Sequence, residues 1–225
     1  LSSLNLKNFN TINVKNMSSL FRECQSLSEL DLSEFKTANV EDMSRMFTDC
    51  TSLRSVDVSK FDTGKVKNMA EMFSGCTSVE ELDVTKFDTS KVTNTSKMFQ
   101  FMNKLNKLDV SRFKTGEVLD MSYMFQYCKS LPYLTVGDFD TSKVTNMESL
   151  FDDCNSLIEL NVRNFDTSNV VSLARAFSGL RSVRYIEVSN FKTSKVKDMS
   201  YMFNSCKSIT SIDVSSFDTS LVTDM

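Results

Sequence analysis

Residues 139–154 read FDTSKVTNMESLFDDC, and residues 87–102 read FDTSKVTNTSKMFQFM. The copies belong to a longer series. Phenylalanine recurs at Phe9, Phe35, Phe61, Phe87, Phe113, Phe139, Phe165, Phe191 and Phe217, a period of 26 without an insertion. Threonine stands two residues after each, from Thr11 to Thr219, and valine five residues after, from Val14 to Val222. A second column runs Phe21, Phe47, Phe73, Phe99, Phe125, Phe151, Phe177 and Phe203, and Phe101 alone lies outside both columns. A fixed internal period settles the architecture before any local motif does: each unit is too small to bury its own apolar face and must stack on its neighbours.

One unit can be read residue by residue. In DMSRMFTDC, Asp42 to Cys50, the apolar residues Met43, Met46, Phe47 and Cys50 stand at i, i+3, i+4 and i+7. That spacing predicts a short helix. The preceding column holds Asn16, Asp42, Asn68, Asn94, Asp120, Asn146, Ser172 and Asp198, all good N-caps. Two turns of helix are marginal alone and need packing to persist. In LRSVDVSKF, residues 53–61, Val56 and Val58 alternate with Ser55, Asp57 and Ser59, which predicts a strand. The expected fold is an α/β repeat: a leucine-rich-repeat solenoid of strand-turn-helix units, with a parallel sheet on one face and short helices on the other. Residues 1–225 form one such domain of eight full repeats and a partial one. At about 4.8 Å per strand the array is roughly 40 Å long. Both phenylalanine columns are expected to stack as aromatic spines. The chain opens in mid-repeat at Leu1 and is expected to continue both ways without its caps here.

The six cysteines, Cys24, Cys50, Cys76, Cys128, Cys154 and Cys206, share one column with Met102 and Leu180. That substitution pattern marks an apolar niche and buried free thiols. Disulfides between adjacent coils are the weaker alternative. In the 87–102 copy, Phe101 and Met102 are expected to fill the volume cysteine fills elsewhere, with Thr95 relaxing the first helical position. The thirteen methionines fall mainly in core columns.

Composition narrows the function. A net charge of −3 leaves no basic footprint for nucleic acid. No apolar run approaches the ~18 residues of a membrane span. Histidine is absent, which removes Ser-His-Asp, Cys-His and histidine–metal sites, and no glycine-rich phosphate loop occurs. The chain therefore reads as a non-enzyme without a cofactor. One weak metal candidate is the ladder Asp31, Asp57, Asp83 and Asp109. Like charges facing each other across strands repel. Either hydrogen bonds to Ser33, Ser59, Thr85 and Ser111 offset this, or a divalent cation such as calcium does.

A repeat protein binds through positions its template leaves free. The aspartate ladder gives way to Thr135, Asn161 and Glu187 before returning at Asp213. Beside it the columns change together: Tyr133, Glu159 and Tyr185 in one, Pro132, Ile158 and Arg184 in the next, Gly137 and Arg163 further along. Aromatics and arginine are enriched in binding hot spots. Tyr133, Ile158, Glu159, Arg163, Arg184 and Tyr185 form the candidate ligand patch. Tyr123, Tyr127 and Tyr201 read as decoration of the helix face, and Lys65, Lys91, Lys143 and Lys195 as a solvated edge.

The repeat SLxxLDVSxFDTSKVTNMSxMFxxC resembles that of the BspA-like leucine-rich repeat family, also described as the DUF285 or Listeria-type lipoprotein repeat, over the whole chain. The resemblance implies a solenoid on a cell surface or in the extracellular space, acting as an adhesin toward host matrix or other cells. It carries over no catalytic residues. Three readings follow: a binding module for protein or glycan on host matrix or neighbouring cells, a self-associating structural stalk, fibre or surface-layer component, and an internal scaffold.

Overall fold

The computed structural model describes residues 2–225. The 26-residue units wind as successive coils around one continuous core, which runs from Leu6 to Met202. The expected in-and-out alternation holds: in the coil of residues 53–61, Leu53, Val56, Val58 and Phe61 are buried, while Arg54, Ser55, Asp57 and Lys60 face water.

The expected helices do not form. Among the described residues there is no helix, and Met43–Cys50 makes no i→i−4 bond. The N–H groups of Met43, Arg45, Phe47 and Asp49 instead donate to the carbonyls of Asn68, Ala70, Met72 and Ser74 in the next coil, at 2.8–3.0 Å. Within the coil, Met46 donates to Met43 and Cys50 to Phe47, closing two tight turns. Arg45 and Asp49, the third residue of each turn, have φ of 58°. A positive φ at that position is the mark of a type II turn. The same two positive-φ positions recur in every coil, from Ser19 and Glu23 to Tyr201 and Ser205. Paired turns repeat every four residues and so turn positions i, i+3, i+4 and i+7 inward, as a helix would. They also release alternate N–H groups to bond between coils, which two turns of helix cannot do.

The capping column keeps its chemistry without a helix. Asn16 and Asp42 accept the N–H of Ser18 and Ser44 at 2.7 and 2.8 Å. Their backbones form a parallel pairing continued from Asn16 through Asp224. The expected sheet is correspondingly reduced. Among the described residues strand pairing in this segment survives only as β1, Glu81–Leu82, parallel to β2, Lys107–Leu108.

Inside, one phenylalanine column stacks and the other does not. The rings from Phe21 to Phe203 lie 5.4–6.0 Å apart and within 20° of parallel. In the second column Phe35, Phe113 and Phe191 meet this spine tilted, at 6.1–6.5 Å. The threonine column ties the coils together from within: Thr37 Oγ1 donates to the Asp62 carbonyl at 3.0 Å and accepts the Asp62 N–H at 2.7 Å. That pattern satisfies backbone groups no strand partner reaches.

The cysteines are free. Cys50, Cys76, Cys128 and Cys154 are buried, and each thiol donates to the carbonyl of a phenylalanine in the preceding coil at 3.0–3.2 Å. Burial pushes the Cys50 and Cys128 thiols up to about 12, so they stay protonated and inert. Met102 alone fills the niche in its coil. Phe101 does not join it: at φ 59° its side chain points outward and its ring stacks on Tyr127 at 5.0 Å.

Candidate ligand-binding groove

Three adjacent coils depart from the template on the strand face, at residues 132–138, 158–164 and 184–190. Between them lies an open groove of about 850 Å³. Leu134, Val136 and Leu160 are buried and form its floor. The Ile158 N–H donates to the Pro132 carbonyl at 3.1 Å. Two asparagine amides fasten the coils further along: Asn164 donates to the Gly137 carbonyl at 3.0 Å and Asn190 to the Arg163 carbonyl at 2.6 Å. Gly137 allows a close approach on the rim, where an added Cβ would lie only 3.3 Å from Asn161 Nδ2.

Ile158, Glu159, Arg163, Arg184 and Tyr185 all line this groove. Tyr133 stands beside it, exposed like Ile158 and Tyr185 at 61, 52 and 62% respectively. Exposed apolar residues are otherwise sparse on this face, so their gathering in consecutive coils is informative. The groove also contains Asp138 and Asn164, which were not expected from the sequence. Their column runs Asn8, Glu34, Lys60, Lys86, Arg112, Asp138 and Asn164, so acid and amide occur there outside the groove as well and the sequence carried no signal for them.

Glu187 is held in place. It accepts the Tyr185 hydroxyl, the Ser189 hydroxyl at 2.5 Å and the Ser189 N–H at 3.1 Å. The Ser189 and Tyr185 hydroxyls draw its carboxyl down to about 2, and the bond to Glu187 raises Tyr185. The phenol ring is thereby fixed with its body in water. The guanidiniums of Arg163 and Arg184 make no ion pair among the described residues.

The aspartate ladder has a different character. Asp31, Asp57, Asp83 and Asp109 each accept the N–H two residues ahead, at 2.9–3.0 Å. Thr85 and Ser111 add their hydroxyls at 2.6 Å. Hydrogen bonds to residues 33, 59, 85 and 111 draw all four carboxyls below their ordinary value. Each carboxylate is thus engaged by its own coil, and among the described residues no three acidic, histidine or cysteine side chains converge.

Comparison with known proteins agrees with the repeat reading. The family profile described as "Mycoplasma protein of unknown function, DUF285" matches residues 2–82, 54–156 and 133–225. No curated protein matches the chain. Among solved structures, a leucine-rich repeat protein from Bacteroides ovatus is 14% identical, with a TM-score of 0.48, covering 94% of this chain and 63% of its own. The functional domain of InlJ from Listeria monocytogenes, described as including a cysteine ladder, is 14% identical at a TM-score of 0.34, covering 98% of this chain and 50% of its own. A leucine-rich cell surface protein from Faecalibacterium prausnitzii is 17% identical at a TM-score of 0.29, covering 87 and 75%. The chain thus spans less than two thirds of the Bacteroides protein and half of the Listeria domain. The three overlapping profile matches run from Ser2 to Met225, and on them the chain belongs to the DUF285 family.

Proposed function

We propose that this chain is a non-catalytic binding module of a cell-surface or secreted protein, mediating adhesion through the groove on its strand face. The observation that carries this reading is the coincidence of two independent features. Residues that break the repeat template, Ile158, Arg163, Arg184 and Tyr185 among them, also line one groove. Random drift in a regular array would scatter such changes around the coil. Here Ile158, Arg163, Arg184 and Tyr185 converge, and fixed aromatic and arginine side chains are effective binding anchors. The expected partner is a protein or glycan on host matrix or a neighbouring cell. Among the described residues no helix is long and apolar enough to cross a membrane.

The test is capture of host-matrix preparations or partner cells on beads carrying the chain. The Tyr133→Ala, Tyr185→Ala double variant keeps the parent melting curve and loses most capture. Unchanged capture by the folded variant would remove the groove from consideration.

A second reading, a structural stalk or fibre, draws on the uninterrupted phenylalanine spine and inter-coil ladder. Such a role needs no groove. Electron microscopy of the full-length protein separates the two: ordered filaments or lattices favour the stalk.

A further inference from the structure

We propose that the groove takes an acidic saccharide: a pyranose ring seated on Tyr185, with its carboxylate between Arg163 and Arg184. This rests on the reading of the groove as the binding site and names the chemistry of its ligand.

Three observations converge. The first is the platform. Tyr185 is largely exposed, yet its hydroxyl is tied to Glu187, so the ring has little orientational freedom left to lose on binding. The C–H face of a pyranose is apolar and matches such a ring, while its hydroxyls remain free to hydrogen-bond at the edges.

The second is the charge pattern. Two guanidiniums line the groove without an ion-pair partner among the described residues. A guanidinium matches a carboxylate in geometry as well as charge. In the first two of these coils the ladder aspartate is replaced by Thr135 and Asn161, and the third carries Glu187, whose carboxylate is taken up by the Tyr185 and Ser189 hydroxyls. A carboxylate ligand seated beside Asp57, Asp83 or Asp109 would face a ladder aspartate; beside Arg163 it meets the Asn161 amide.

The third is the remaining inventory. Glu159 and Asp138 are acceptors only when ionised. They suit a ligand rich in hydroxyl donors, which a sugar supplies and an acidic peptide largely lacks. A peptide held by strand addition needs an open sheet edge. These coils lie inside the stack, and the Pro132, Gly137 and Arg163 carbonyls already accept bonds from the neighbouring coil. The groove volume of about 850 Å³ also lies within the range of roughly 300–1,000 Å³ usual for small-ligand sites.

The experiment is isothermal titration of the chain with sialyllactose, a glucuronate-containing disaccharide, lactose and a poly-glutamate peptide. The parent is compared with Arg163→Gln, Arg184→Gln and Tyr185→Ala, each checked by melting curve. At least one acidic saccharide binds the parent. Either arginine variant weakens it by about tenfold or more, the scale of a lost charged hydrogen bond, and lactose binds correspondingly less. Equal binding of lactose, or poly-glutamate binding with both acidic saccharides silent, overturns the proposal. If no acidic saccharide binds while the tyrosine variants still lose surface capture, the saccharide assignment falls and the groove remains the binding site. If capture also survives in those variants, both fall.

Discussion

Replacing Phe125 by alanine removes one ring from the middle of the spine. Phe125 is fully buried and stacked between Phe99 at 5.7 Å and Phe151 at 5.8 Å. Deleting a buried phenylalanine costs about 3–5 kcal/mol, made up of lost transfer energy and the cavity left behind. The inter-coil ladder holds the neighbouring backbone in place, so collapse into that cavity is limited. The control is Lys129→Ala, an exposed residue whose ammonium sits 4.8 Å above Tyr127. Losing that contact costs about 0.5–1 kcal/mol. The two variants should differ by roughly 3 kcal/mol, which for a chain of this size is about 6–12 °C in Tm. Thermal unfolding followed by circular dichroism reads this directly. Because coils contact only their neighbours, the Phe125 variant should also unfold less cooperatively. Midpoints within about 2 °C of each other would refute the spine as the main source of inter-coil stability.

Three further outcomes follow from the same structure. Ser149 is fully buried at φ 52°, and its hydroxyl has no partner among the described residues; Ser149→Gly relieves both and should stabilise by about 1 kcal/mol after the added unfolded-chain entropy is subtracted, whereas a lower urea midpoint would contradict this. Glu187 is depressed to about 2 in the folded state, so its stabilising contribution is present above the ordinary value of 4.5 and lost as pH falls from there through about 2. An NMR titration should find it still ionised at pH 4, and Tyr185→Phe should raise its pKa. A Glu187 titrating normally in the parent would refute the arrangement. Native Cys50, Cys76, Cys128 and Cys154 should resist an aromatic disulfide reagent that labels all six cysteines in urea; rapid labelling of the buried four would contradict their burial.

The parts of this fold legible in sequence are those that depend on residue type at a fixed period. The phenylalanine, threonine and cysteine columns name their own burial, because each substitution among copies stays apolar or keeps its hydrogen bond. The helix was misread because Met43, Met46, Phe47 and Cys50 satisfy a helical spacing and a paired-turn spacing equally. Backbone sign decides between them, and Arg45, Lys97 or Tyr123 at positive φ look ordinary in sequence. Gly75 and Gly179 were the one hint, since they share a column with Asp49 and Tyr127. The second aromatic spine failed for a related reason: a common column fixes burial but not ring tilt. The groove was visible in outline through Tyr185, Arg163 and Arg184 departing from template. What pins it, Glu187 on Tyr185 and Asn164 on Gly137, depends on side-chain directions across coils that spacing alone does not carry.

The most direct test of the binding account is an alanine scan of the strand face, coil by coil, reading capture of the same host-matrix preparation by folded variants. Losses confined to Tyr133, Ile158, Arg163, Arg184 and Tyr185, with Ser55, Asp57, Glu81 and Lys107 silent, are the predicted result. Capture that falls equally at the regular coils, or survives throughout the groove, would contradict it.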